Sequence, residues 1–202
     1  MLKKVPQQER SRAMVELILA AATRVLNERP LATVSTNLVA DVAGISIGSL
    51  YQYFDSKQAI VKSLLERHVR DCVAQANTVL MEGSGNRAID RYRTVLRELL
   101  AMHERERTLH LSLEQVGTPS ASLATAEHGA HAWLLASHLA EEFPHLSDAG
   151  SLLHAQVLMR VVNTLVHGAI RLPVRERDRM VVEHFNAFAL SYNRALEARA
   201  AT

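Results

Sequence analysis

Residues 43–57 read AGISIGSLYQYFDSK, which places three serines, two glycines, two tyrosines, a glutamine and a lysine in one short span. Hydroxyls, a carboxamide and an ammonium group are the donors and acceptors that meet phosphate oxygens and base edges. Small residues matter as much as polar ones, because a helix end entering a major groove must come close to bases and backbone. Gly48 removes a side chain at that end, Ser46 and Ser49 offer hydroxyls, Gln52 suits a base edge, and Ile47 suits a thymine methyl group. The hydroxyls of Tyr51 and Tyr53 can donate to phosphate while their rings pack down, and Lys57 adds a cation. The other reading of the stretch is a plain surface helix with a few aromatic residues, and spacing by itself leaves both open.

Such side chains need a short helix and a tight turn to aim them. Val15, Ile18, Ala22, Val25 and Leu26 recur at helical spacing and predict a first helix over about 9–28, stopped by Pro30. Thr33 or Ser35 can cap a second helix through Ala43, with Leu38, Val39 and Val42 as its buried residues. Gly44 suits the left-handed conformation that ends many helices. Ser46 can cap a third helix through about Tyr53, with Ile45 and Leu50 inward and Phe54 anchoring its exit. Asp55, with Gln58 three places on, or Ser56 then opens a long fourth helix whose inner stripe is Ile60, Leu64, His68, Cys72, Ala76 and Leu80. A short helix, a glycine turn and a second short helix make a helix-turn-helix.

STNLVADVAGISIGSLYQYFDSKQAIVKSLL, residues 35–65, resembles the DNA-binding motif of the tetracycline-repressor (TetR) family. The resemblance covers the N-terminal third; beyond it only helix number and fragments such as LVHGAIRLP are similar. It implies an all-α homodimer of about nine helices per chain, with a three-helix helix-turn-helix head on a larger C-terminal helical domain. The head is expected over residues 8–66, with the fourth helix shared, and the effector-binding and dimerisation domain over 67–202. The resemblance also implies that Ser35 and Asn37 contact phosphate. Ile47, Gly48 and Ser49 would face bases, and Tyr51, Gln52, Tyr53 and Lys57 would bind backbone or neighbouring bases. Leu38 stands where similar members often carry arginine, and Ile47 where many carry a basic or polar residue, so readout there is expected to be apolar.

Further helices are predicted at about 87–104, 107–116, 121–142, 149–171 and 175–199, punctuated by EGSGN, GTPS, FPHLSD and RLPV. Leu153, Val157, Val161 and Leu165 form one apolar row and Leu152, Met159, Val166 and Ile170 a second, the pattern of a helix buried on two sides. Val181, Phe185, Phe188, Tyr192 and Leu196 make a bulky stripe near the end. Intrachain core and a subunit interface both fit, and the resemblance implies that the last two helices pair across a dimer. It also implies a pocket for an apolar or aromatic small molecule, for which Met102, His103, Trp133, Met159, Asn163 and His167 are the candidate lining. RERDR at 175–179 reads as a solvated first turn.

The totals restrict the function classes. Lys and Arg number 23 against 21 Asp and Glu, and the whole excess lies in residues 1–60, which hold seven of the former and five of the latter. That is compatible with a nucleic-acid partner without requiring one. Cys72 is the only cysteine and reads as a small buried apolar residue. His128 and His131 share a helix face without Cys or Glu-x-x-His companions, so no metal or cofactor is expected. No apolar run approaches the roughly 20 residues that cross a bilayer, and a cytoplasmic protein with no membrane partner is expected. No nucleophile–base pair, phosphate loop or paired carboxylates point to an enzyme. The leading expectation is a repressor that binds a palindromic duplex operator and is released by a small molecule. The alternatives are an ungated helix-turn-helix regulator and a helical adaptor.

Overall fold

The computed structural model describes residues 9–82, 87–115 and 121–199, with side chains described for all of these but 121–128, 174, 175, 178–180 and 199. The expected breaks at EGSGN and GTPS fall almost wholly outside these residues, as does the lysine pair at 3 and 4. Nine α-helices are described: α1 Glu9–Glu28, α2 Thr36–Ala43, α3 Ile47–Tyr51, α4 Lys57–Glu82, α5 Ala88–Arg105, α6 Arg107–Glu114, α7 Ala121–Glu142, α8 Asp148–Ala169 and α9 Val174–Arg199. A single 3-10 turn at Leu31–Thr33 follows Pro30, and no strand occurs among the described residues.

The chain divides into two compact units. The head comprises Met1–Arg70 with Glu106–Leu123, and the helical unit comprises Asp71–Arg105 with Ala124–Thr202. This departs from the expected boundary in one element. Helix α6 joins the head because its Leu109 and Leu113 are buried in the same core as α1, α2, α3 and α4. In that core Ile18 and Leu26 of α1, Val39 and Ala40 of α2, Leu50 of α3, Phe54 and Ile60 are each at most 2% exposed. Val42, expected inside, is 40% exposed. At the helical angle per residue it stands about 110° from the centre of the face formed by Val39, Ala40 and Ala43.

The helical unit has its own core, built from Leu80, Tyr92, Leu96, Leu135, Leu139, Leu158, Val166 and Phe185 among others. Charged and polar pairs lock its helices. Glu142 of α7 accepts the backbone N–H of Ala88 at 2.7 Å, capping α5 from a distant part of the chain, and also pairs with Arg87. Arg177, expected in a solvated turn, is instead 2% exposed and ion-paired with Glu104 of α5. A guanidinium withdrawn from water requires such a partner. Val181 and Phe185, proposed from sequence for a subunit interface, are 4% and 0% exposed within the chain's own core. The remaining four of the α8 row behave differently: Leu153 is 60% and Val157 36% exposed, while Val161 and Leu165 are half-buried. The face of α8 turned to the core carries Ala155, Leu158, Val162 and Val166.

Tyr92 anchors a buried polar chain. His131 Nδ1 lies 2.7 Å from Asn77 Oδ1, which can only accept, so Nδ1 carries the proton and Nε2 accepts from the Tyr92 hydroxyl at 3.4 Å. Burial pushes the Tyr92 hydroxyl well above the ordinary tyrosine value. The folded state therefore keeps a proton that the unfolded chain releases near pH 10, and stability falls as pH rises beyond that value. Denaturant melts between pH 9 and 11 are expected to lose up to about 1.4 kcal/mol per pH unit above 10 on this account. The Tyr92→Phe variant is expected to show a shallower decline; an identical one would contradict the assignment.

Candidate nucleic-acid interface

Three caps fix the helix-turn-helix. Ser35 Oγ accepts from the Leu38 N–H at 3.2 Å and starts α2. Gly44, at φ 67°, ends α2 in the left-handed region and is the only positive φ among the described residues. Its N–H and that of Ile45 close the helix on the carbonyls of Asp41 and Ala40. Ser46 Oγ then accepts from the Ser49 N–H at 3.0 Å and starts α3. Helix α3 runs only to Tyr51, shorter than the expected span, with Gln52 and Tyr53 completing the turn. Five helical residues do not hold together alone in water. Leu50 and Phe54, both fully buried, tie α3 to the head's core. At α4 the cap is Ser56, whose Oγ accepts from the Ala59 N–H at 3.2 Å, rather than Asp55.

With Leu50 inward, the outer side of α3 presents Ser46, Ile47, Gly48, Tyr51 and Gln52, all exposed, beside a half-buried Ser49. Ser46 and Ser49 hydroxyl oxygens are 2.8 Å apart. One hydroxyl proton is shared within this pair, so the two serines together offer a single outward donor. Ile47 is 37% exposed, an apolar side chain on a polar surface. Tyr53 is half-buried and packs against the head's core, while the exposed Tyr51 places its hydroxyl 3.1 Å from Thr36 Oγ1. Sequence reasoning missed Thr36, since no periodicity relates partners fifteen residues apart. Asn37 and Ser35 are exposed at the start of α2. Lys57 is half-buried and donates one of its protons to the Leu31 carbonyl at 3.0 Å, so it braces the 3-10 turn as well as offering charge.

Gly48 is the informative position. A Cβ built there would meet only Ser46 Oγ, at 3.8 Å, and its φ is not positive, so neither packing nor backbone calls for glycine. Glycine inside a helix costs about 1 kcal/mol relative to alanine. Only a close approach from outside gives that sacrifice a purpose.

A family model described as bacterial regulatory proteins, tetR family, matches residues 18–64, the segment just built. By this domain the chain belongs to the TetR family. A 52-residue stretch is 48% identical to the HTH-type transcriptional regulator EthR of Mycobacterium tuberculosis, covering 26% of this chain and 24% of that protein. A 73-residue stretch is 37% identical to the HTH-type transcriptional repressor KstR2 of Rhodococcus jostii, covering 36% of this chain and 35% of that protein. The matches thus span about a quarter to a third of the curated relatives' length. Whole-chain similarity comes from solved structures. A putative transcriptional regulator from Pseudomonas aeruginosa PAO1 superposes with TM-score 0.69 over 96% of both chains at 18% identity. A TetR-family transcriptional regulator from Streptomyces coelicolor superposes at 0.59, with 25% identity over 92% of this chain and 98% of that one.

The candidate lining residues of the TetR-family chain are only partly brought together. His103, 2% exposed, and His167 stand with ring centroids 5.5 Å apart. Met159 packs against the core of the helical unit and Met102 is half-buried. Trp133, 59% exposed, and Asn163, also exposed, lie on the surface. Of the histidine pair weighed for metal, His131 is committed to Asn77 and Tyr92, and the side chain of His128 lies outside the described residues.

Two glycine substitutions separate stability from recognition. Gly44→Ala is expected to cost about 1–2 kcal/mol in chemical denaturation, the strain of a Cβ in the left-handed region. Gly48→Ala is expected to leave stability unchanged or raise it by up to about 1 kcal/mol. The same variant should weaken DNA retention in a gel-shift assay at least tenfold; unchanged retention would remove Gly48 from the interface.

Proposed function

We propose that this chain is a sequence-specific DNA-binding transcriptional regulator of the repressor kind, which inserts α3 into the major groove of a palindromic operator. The observation that carries the proposal is the outer side of α3, where the uncrowded Gly48 lies between two cap-linked serines and an exposed isoleucine. In this reading Ser46, Ile47, Gly48, Ser49 and Gln52 face bases. Ser35, Asn37, Tyr51, Tyr53 and Lys57 hold the phosphate backbone, with Thr36 orienting Tyr51 through their shared hydrogen bond.

One such helix reads a single half-site. Two must stand about 34–36 Å apart to enter successive major grooves, so the regulator acts as a homodimer. Leu153, Val157 and Leu190 support this, as exposed large apolar residues on α8 and α9 that a second copy would cover. Leu190 was not among the residues singled out from sequence.

Release from the operator by a small molecule in the helical unit completes the proposal. Helix α4 is unbroken from Lys57 to Glu82, and its first residues belong to the head and its last to the helical unit. It is the covalent route by which ligand binding in one biases the other. The coupling is reciprocal: whatever factor a ligand takes from operator affinity, the operator takes from ligand affinity, typically 5–150-fold.

Fluorescence anisotropy with DNA flanking the chain's own gene tests the first part. Expected is saturable binding that survives excess unrelated DNA and weakens steeply with salt as phosphate contacts are lost. Binding no tighter than to unrelated DNA would overturn it. For any ligand recovered from a thermal-shift screen, titration with and without operator is expected to give different affinities; equal ones would overturn gating.

A further inference from the structure

Three metal-ligating side chains meet in the helical unit, each delivered by a different helix. Cys72 comes from α4, His103 from the last turn of α5 and His167 from the last turn of α8. A ligand atom of His103 lies within 4.8 Å of the Cys72 sulfur, and ligand nitrogens of His103 and His167 are within the same distance of one another. The two imidazoles stand edge to face, His103 almost fully buried and the other two residues half-buried.

The central imidazole is already oriented. His103 Nδ1 lies 2.7 Å from the Leu99 carbonyl. A carbonyl only accepts, so Nδ1 carries the proton and the neutral ring keeps its lone pair on Nε2. Metal-binding imidazoles are held by this same bond to a backbone carbonyl or carboxylate, which sets both tautomer and direction. The field favours a cation as well. His103 and His167 each sit where a helix ends, and helix C-termini carry the negative end of the dipole and carbonyls without intrahelical partners.

We propose that Cys72, His103 and His167 bind a zinc ion, with Cys72 as thiolate, both histidines neutral, and the fourth tetrahedral position left to water or another donor. One thiolate with two imidazoles is a soft to borderline set that suits zinc and does not suit magnesium or calcium, which take oxygen ligands. Zinc–ligand bonds of about 2.0–2.3 Å need donors roughly 3.5 Å apart, within the spacing already present. The thiol loses its proton as the metal binds, so affinity rises with pH. This site does not depend on the DNA-binding reading, and its test requires no DNA.

Cobalt(II), titrated into the full-length chain under reducing, chelator-cleared conditions, reports the coordination directly. Expected is one equivalent of tetrahedral d–d absorption with a thiolate-to-cobalt charge-transfer band, both abolished by one equivalent of zinc. Because Cys72 is the only cysteine, that band assigns the ligand by itself. Cys72→Ser is expected to lose the band, and Cys72→Ser and His167→Gln each to weaken zinc at least tenfold with an unchanged far-UV spectrum, while exposed His145→Gln leaves both signals intact. The wild-type measurement holds even where a variant does not fold. Only weak octahedral absorption, absence of the charge-transfer band, or undiminished zinc affinity in folded His167→Gln would overturn the site.

Discussion

The positive φ of Gly44 is the constraint on which the rest of the head depends. It reverses the chain at the end of α2 and delivers Ser46 to the start of α3, and no other described residue adopts such a backbone. A side chain at that position would strain the turn and, with it, the direction in which α3 points. Everything offered outward by α3 inherits its aim from this reversal and from the burial of Leu50 and Phe54 behind it. The exposed face is free to be small and polar because the opposite face supplies the stability.

The two units solve different problems with the same element. In the head, short helices are closed by local side-chain caps at Ser35, Ser46 and Ser56, a fixed scaffold beneath the candidate interface. In the helical unit the ties are long-range and buried: Glu142 capping α5, Arg177 on Glu104, and the chain from Asn77 through His131 to Tyr92. Buried polar pairs of this kind are costly to break singly, since each leaves an uncompensated partner behind.

Which parts were legible in the sequence follows from the range of the interactions involved. Helix bounds rest on local periodicity and on neighbours such as Pro30, Gly44 and Ser46, so they could be read almost residue by residue. Ser56 against Asp55 was undecided because adjacent residues of equal capping quality differ only in backbone placement. Long-range partners left no local trace. Arg177 looked like part of a solvated charge run because Glu104 is 73 residues away. The same is true of α6, whose two buried leucines join a core begun near the N-terminus. Thr36 and Tyr51, and the grouping of Cys72, His103 and His167, required the fold to be known. The outward face of α3 was legible because its chemistry lies within one heptad.

The central claim is that α3 presents its small, polar end to base edges in a major groove. Dimethyl sulfate interference on the flanking DNA tests this most directly, because the reagent methylates guanine at N7 in the major groove and adenine at N3 in the minor groove. The account predicts that guanine methylation blocks binding in two half-sites centred one helical turn, about 10–10.5 base pairs, or a multiple of that distance apart. Interference confined to adenines, or none at any discrete position, would contradict it.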